Sequence, residues 1–187
     1  MFGVAAVEPS PDDLDGLLAG PGQVVRMGGT ARVSVEVADA WRVHVLVAEL
    51  RHRGLTTSWA HTAERRLAVR TAYTATLTPL ARSWLRDTGK RPPDGFHLGG
   101  ARLRLWVAAA GVPDPSGFVL GLGLADEPCW APVGAALAAV GLPAELLAPS
   151  GGGPAYRIEG RRAVARLAEL VGERPAAAPP ARWPGGA

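Results

Sequence analysis

The sequence is short of several residue types, and each shortage excludes a class of protein. Among 187 residues it has one cysteine, Cys129, so no internal disulfide can form and the reducing cytoplasm is the expected location. No apolar run approaches the roughly 20 residues that a membrane-spanning helix needs. The N-terminus also lacks the positive region of a signal peptide. These absences predict a cytoplasmic protein with no membrane partner.

Motifs for cofactors and metals are incomplete. The four histidines are not spaced as metal ligands. The glycine pair in 121–123 lies inside a predicted strand and lacks the third glycine of a dinucleotide fingerprint, and the glycines at 151–153 are not followed by a P-loop lysine. Cys129 is interpreted as a small buried hydrophobe rather than a nucleophile. The sequence therefore predicts no cofactor and no metal ion.

Lysine is almost missing as well. Lys90 is the single lysine, so arginine supplies 19 of the 20 basic residues; the net charge is +3 and the pI is near 9.7. The guanidinium group suits phosphate and guanine, although GC-rich codon usage produces the same bias. Neither half has a strong excess of either charge. The composition therefore permits a nucleic-acid partner without requiring one.

An internal repeat is the main feature that the sequence does have. The stretch 31–55 has the pattern of a strand, then Asp39, then a helix that ends at Gly54. The same succession returns at an offset of 87 positions, with Asp126 in place of Asp39 and Gly141 in place of Gly54. Strand period, helix period and helix-ending glycine agree in one register. This agreement predicts an ancient duplication and two similar halves.

Hydrophobic periodicity predicts the same element order in each half: helix, strand, strand, helix, strand, strand, helix. Asp39 is predicted to cap the second helix. The predicted helices are 12–19, 40–54, 78–87, 101–110, 126–140 and 161–172, and the predicted strands are 23–27, 31–37, 56–61, 67–75, 118–124, 143–148 and 155–159. The tryptophans predicted to be mostly core are Trp41, Trp59, Trp84, Trp106 and Trp130.

Composition divides the chain into segments. Turn-rich sequence marks the junction between the halves, and low complexity marks the C-terminal end. The predicted organisation is a flexible N-terminus at 1–9, a first repeat at 10–91, a linker at 92–100, a second repeat at 101–174 and a disordered Pro/Ala tail at 175–187.

The duplicated order resembles the LAGLIDADG homing endonuclease fold, which is named for a nonapeptide at the end of a central helix. Residues 14–22 (Leu-Asp-Gly-Leu-Leu-Ala-Gly-Pro-Gly) keep the leucine and glycine positions of that motif, and 103–111 match it more weakly. The resemblance implies an α+β fold of two pseudo-symmetric αββαββα repeats, with saddle-shaped antiparallel sheets and helices on one face. It also implies a monomer that contains an internal pseudo-dimer.

The eighth position of the nonapeptide departs from the family. In the nucleases it is an acid that holds a divalent metal between the scissile phosphates. Here Pro21 and Ala110 occupy those positions, and neither side chain can bind a metal. With this departure, the resemblance implies a protein that is not an enzyme.

A narrower resemblance is to the N-terminal domain of WhiA-type sporulation regulators, over roughly residues 10–172. It is carried by 109–115, which resembles that domain's turn after the helix, and by 154–172, which resembles its final strand and helix. In that family a helix-turn-helix domain follows, and no such segment is expected before Ala187. The resemblance implies a non-catalytic DNA-binding or transcription-regulatory protein at the nucleoid, whose partner is double-stranded DNA, a transcription regulator, or both. The alternative is an interaction scaffold that docks a regulator without contacting DNA.

Strand alternation selects the residues that would face DNA. If Val33, Val35 and Val37 face the helices, their neighbours face outward, and the hairpin arginines extend beyond the sheet. In the family this face saddles the duplex, where phosphate contacts position the protein. The second half presents Val119 and glycines there, which motivates the scaffold alternative. The predicted DNA-binding residues are Arg32, Ser34, Arg65, Arg66, Arg70 and Arg157.

Overall fold

Helices and strands follow the same order in both halves of the chain. The structure is a computed structural model, and it describes residues 7–149 and 152–186. The first half contains a 3-10 turn (Pro11–Leu14), α1 (Asp15–Ala19), β1 (Gln23–Met27), β2 (Thr30–Val37), α2 (Ala40–His52), β3 (Thr57–His61), β4 (Leu67–Thr71) and α3 (Thr78–Trp84). The second contains α4 (Gly100–Ala110), β7 (Gly111–Asp114), β8 (Gly117–Gly121), α5 (Glu127–Ala139), β9 (Glu145–Leu147), β10 (Ala155–Glu159) and α6 (Arg161–Val171). Between them, β5 (Leu85–Arg86) and β6 (Gly89–Lys90) form a short ribbon.

Each half builds a four-stranded antiparallel sheet of identical topology. The strand orders are β1-β2-β4-β3 and β7-β8-β10-β9. The second strand of each half therefore pairs with the first and with the fourth, as a duplicated unit requires. This architecture confirms the predicted α+β fold of two αββαββα repeats.

Alternation along β2 fixes which sheet face is covered. Val33, Val35 and Val37 are buried against the helices, while Arg32 and Ser34 lie on the other face. Among the described residues, α2 and α3 pack on the first sheet from the buried side. The opposite face, which we call the outer face, is available for a partner.

The two halves join through α1 and α4. A Cβ atom on Gly16 would overlap the backbone carbonyl of Arg102, and one on Gly20 would come within 2.6 Å of the indole of Trp106. Glycine in the first nonapeptide thus permits the close helix contact. The fully buried Trp84 and Trp106 belong to one hydrophobic core that continues across both halves.

Several sequence predictions need correction. The segment from Gly111 to Asp114 is a strand, not a turn, because it pairs along β8 at the sheet edge, where Pro113 is tolerated. Asp39 stands at the N-cap of α2 but makes no side-chain capping bond; its carboxylate binds Arg42 instead. Trp59 is 52% exposed, since it lies on the edge strand β3.

The C-terminal tail packs on the protein, in contrast to the predicted disorder. Ala178 and Trp183 are buried, and the guanidinium group of Arg104 lies 5.3 Å from the centre of the Trp183 ring. One large aromatic residue anchors a segment whose overall composition suggested disorder. Residues 1–6 of the predicted flexible N-terminus, residues 150 and 151, and Ala187 lie outside the described residues. In the part of the chain that the structure describes, no helix combines the length and apolarity needed to cross a bilayer.

Candidate nucleic-acid interface

The outer face of the first sheet carries a row of polar residues across all four strands. Gln23 on β1 pairs with Ser34 on β2, Ser34 pairs with Arg70 on β4, and Arg70 pairs with Ser58 on β3. Directly paired residues in antiparallel strands share a face, so this row is continuous. The structure therefore places the predicted residues Ser34 and Arg70 side by side on the exposed surface.

Arg32 is held one row further along the same face. Its guanidinium group lies 4.7 Å from the centre of the Tyr73 ring, a cation–π contact that fixes the long side chain. Its Nε is shielded and has no hydrogen-bond partner among the described residues. Sequence reasoning found Arg32 and missed Tyr73, which follows β4 without a regular pattern.

Arg65 and Arg66 lie in the hairpin turn between β3 and β4. The backbone amide of Arg66 donates to Oγ1 of Thr62, and Arg65 has a φ of 59°, so the turn is tightly wound. Arg66 Nε lies 3.7 Å from Oε2 of Glu36, and both side chains are about half exposed. Such a pair is weak in water and can open to a phosphate.

The outer face of the second sheet has the opposite charge balance. Arg157 lies there as predicted, but its guanidinium group is surrounded by three carboxylates. Its Nε is 3.4 Å from Oδ2 of Asp114, and its Nη1 is 3.5 Å from Oε2 of Glu145 and 3.8 Å from Oε1 of Glu159. On the first sheet, basic residues instead outnumber acidic ones: the arginines are Arg32, Arg65, Arg66 and Arg70, and the acids are Glu36 and Glu64. The structure thus separates Arg157 from the other predicted residues.

The two helix tips meet between the sheets. Pro21, after α1, and Ala110, at the end of α4, both line one cleft of about 280 Å³. Glu36 and Arg66 reach this cleft from the first sheet, and Gly121 reaches it from the second. The positions that correspond to the family's paired acids therefore line the same cleft.

A buried arginine caps the end of α4. Arg42, on α2, donates hydrogen bonds to the carbonyl oxygens of Val107, Ala108 and Gly111 at 3.2, 3.1 and 2.6 Å. Its Nε lies 3.3 Å from Oδ2 of Asp39. Burial lowers the pKa of Arg42, and the contact with Asp39 opposes that shift. A cation at a helix C-terminus is favourable because the helix dipole and the unpaired carbonyls are negative there.

A buried lysine caps the end of α1 in the same manner. Nζ of Lys90 donates to the carbonyl oxygens of Leu18, Gly20 and Gly22 at 2.7, 2.8 and 2.6 Å. It also lies 3.0 Å from Oδ2 of Asp126. Burial lowers the pKa of Lys90, and Asp126 opposes that shift.

The duplication accounts for the acids of the two caps, although the cations themselves are not equivalent in the repeat. Asp39 and Asp126 hold equivalent positions in the repeat, and each neutralises a cation at the helix tip of the other nonapeptide. Sequence reasoning missed Arg42 and Lys90, although the repeated Asp and the single lysine were visible signals.

The helix tips do not fit a divalent metal ion. Pro21 and Ala110 offer no carboxylate oxygen, and the carbonyl oxygens at both tips already accept hydrogen bonds from cations. Across residues 7–149 and 152–186, no three His, Cys, Asp or Glu side chains are grouped as metal ligands. We therefore derive no chemical step through a metal at this position.

Comparison with known proteins identifies the type of fold. No protein-family model matches the chain, and no curated protein matches its sequence. The structure is similar to that of the homing endonuclease I-WcaI bound to its DNA recognition sequence. The TM-score is 0.63 at 12% sequence identity, over 88% of this chain and 81% of that chain. The chain thus has the LAGLIDADG-type two-repeat fold.

This comparison corrects one prediction. The sequence implied that the chain is not an enzyme, but the protein of similar fold is an endonuclease, which contradicts that statement. The prediction rested on two positions only, Pro21 and Ala110. Carboxylates elsewhere along the tip cleft, Glu36 and Asp39, were outside that reasoning.

Proposed function

We propose that the chain binds double-stranded DNA through the outer face of the first sheet. The observation that carries this proposal is the arginine set on that face, with Arg32, Arg65 and Arg70 forming no ion pair with any described residue. Arginine side chains on an extended sheet suit phosphate groups, whose contacts position a protein on a duplex. The fold supports the proposal, because the similar endonuclease is bound to its DNA recognition sequence.

The hydrogen-bonding row supplies a second support. Ser34 and Ser58 flank Arg70 on the same surface, so donors and acceptors for base edges accompany the phosphate-binding charges. Arg32, held by its contact with the Tyr73 ring, lies in the same region. Binding at this face needs no metal, because the charges come from the side chains.

Affinity for duplex DNA across a salt series tests the proposal. Each phosphate contact contributes about 0.9 to the slope of log affinity against log salt, so Arg65→Gln with Arg70→Gln should lower that slope by about 1.8. The matched control is Arg161→Gln with Arg162→Gln, which removes the same charge from the start of α6 on the covered side. No duplex binding at low salt, or an equal effect of both double variants, would contradict the proposal.

A regulatory role at the nucleoid, of the kind that the WhiA-type resemblance suggests, is part of this proposal. DNA occupancy near a promoter would alter transcription from it. Transcription from promoters enriched with the bound protein should change when the Arg65 and Arg70 substitutions are introduced at equal protein level. Unchanged transcription with lost occupancy would remove the regulatory part and leave DNA binding intact.

Docking of a transcription regulator is the second candidate function, and the second sheet favours it. Val112 and Val119 lie next to each other on its outer face, beside the carboxylates around Arg157. That mixture of apolar and acidic groups suits a protein better than a polyanion. Capture of a partner that survives nuclease treatment and is lost in Val112→Asp would support this function. Capture that depends on nucleic acid would count against it.

A further inference from the structure

The duplication supplies a matched pair of arginines with opposite surroundings. Arg70 and Arg157 are equivalent in the repeat (87 positions apart), and each is central in its sheet: Arg70 pairs with Ser34 and Ser58, and Arg157 pairs with Val119 and Glu145. Arg70 makes no ion pair with a described residue, whereas Arg157 has carboxylates on three sides. The same side chain is therefore available in one half and neutralised in the other.

Two substitutions between the repeats account for most of this difference. Glu145 stands where the first half has Ser58, and Glu159 stands where it has Ala72. Glu145 and Glu159 are each more than half exposed, so their charges face the same space as the arginine. Asp114 adds a third carboxylate from β7, and hydrogen bonds from Ser116 lower its pKa, which keeps it ionised.

The carboxylates on the outer face of the second sheet lie close enough to Arg157 to repel a phosphate that binds there. The carboxylates lie within 3.8 Å of the guanidinium group that would contact it, well inside a Debye length of roughly 8 Å at physiological salt. Salt therefore screens the repulsion only in part. Arg157 cannot reach a phosphate without bringing that phosphate beside these carboxylates.

Resting on the proposed function, we infer that Asp114, Glu145 and Glu159 hold the duplex off the second sheet and confine DNA contact to the first. The acids act as specificity determinants by neutralising Arg157. A protein with two similar sheets then binds a single short stretch of duplex, about one helical turn, at one end of its pseudo-symmetric face. The partner is therefore duplex DNA, which contacts the first half of the protein and leaves the second half unoccupied.

Reciprocal swaps between the repeats test this inference. Glu145→Ser with Glu159→Ala gives the second sheet the residues of the first, and Ser58→Glu with Ala72→Glu does the reverse. The first swap should steepen the salt slope by about 0.9, the value for one additional phosphate contact, on a duplex of two turns and not on a duplex of one turn. The second swap should lower the affinity on both lengths. Thermal unfolding of each variant checks the fold.

Crosslinking of the otherwise unaltered protein provides an independent measurement. A photoreactive group attached to Ser58→Cys should crosslink a two-turn duplex, and one attached to Val119→Cys should not. When Val119→Cys is combined with Glu145→Ser and Glu159→Ala, the group at position 119 should also crosslink the duplex. Equal crosslinking from both positions, or a slope that the first swap leaves unchanged on long duplexes, would overturn the inference. Absence of binding from the unsubstituted protein at low salt would instead refute the proposed function itself.

Discussion

Replacing Lys90 by methionine tests the buried cap at the end of α1. The substitution keeps an unbranched side chain and removes the ammonium group, which is buried among three backbone carbonyls and Oδ2 of Asp126. Among the described residues, the Gln23 amide is then the one hydrogen-bond donor left to the Asp126 carboxylate, at 3.1 Å. Removing one partner of a buried charge pair costs about 3–5 kcal/mol, out of a total stability of roughly 5–15 kcal/mol.

For a chain of this size, each kcal/mol lowers the melting temperature by about 2–4 °C, so we expect a fall of about 6–20 °C in circular dichroism melts at pH 7. Arg91→Met is the matched control, because it removes an exposed cation from the next position, and it should change stability by less than about 0.5 kcal/mol. Adding Asp126→Asn to Lys90→Met should recover part of the loss, since it removes the uncompensated charge. A loss below 1 kcal/mol, or equal losses in Lys90→Met and Arg91→Met, would refute the assignment of Lys90 as a cap.

Three further measurements address other parts of the structure. Gly16→Ala places a methyl group against a carbonyl of α4 and should cost about 1–3 kcal/mol more than Gly29→Ala in urea unfolding, because nothing lies near Gly29. Burial alone would raise the pKa of Glu49, but hydrogen bonds from two arginines lower it below 4.5. The stability that Glu49 contributes is therefore full above that pH and is lost as the pH falls. Glu49→Gln should make the free energy of unfolding less dependent on pH in the acid range. Burial raises the pKa of the Cys129 thiol to about 11, so a thiol reagent at pH 8 should react far more slowly with native than with unfolded protein, and equal rates would contradict the burial.

Local periodicity was sufficient to predict most of the fold. The bounds of β1 and β10 agree with the sequence prediction residue for residue, because turn-forming residues border each segment: Gly22 and Gly28 for β1, Pro154 and Gly160 for β10. The strand β7 was missed, since four residues that include Pro113 carry too little of an alternating pattern. The tail was also misjudged, because a single tryptophan, Trp183, holds a segment whose composition is otherwise low in complexity.

The candidate site was less predictable, and the reason is physical. Strand alternation placed Arg70 and Arg157 on outer faces with equal weight, yet their environments depend on cross-strand neighbours that only the pairing register reveals. Lys90 shows the same limit more strongly: its carbonyl partners, at the end of α1 and just beyond it, lie 68 to 72 positions away, and no periodic signal connects them. A buried cation at the end of a distant helix is a product of tertiary structure alone.

The reciprocal caps have a consequence for how the protein assembles. Arg42 of the first half completes the helix of the second, and Asp126 of the second half neutralises the cation that completes the helix of the first. In isolation the second half lacks the cation that caps its central helix, and the first half lacks the carboxylate that neutralises its own buried Lys90. If the polypeptide were cleaved between Lys90 and Gly99, the two fragments would recover native structure only by associating with each other, so coexpression would yield a heterodimer where separate expression yields aggregates.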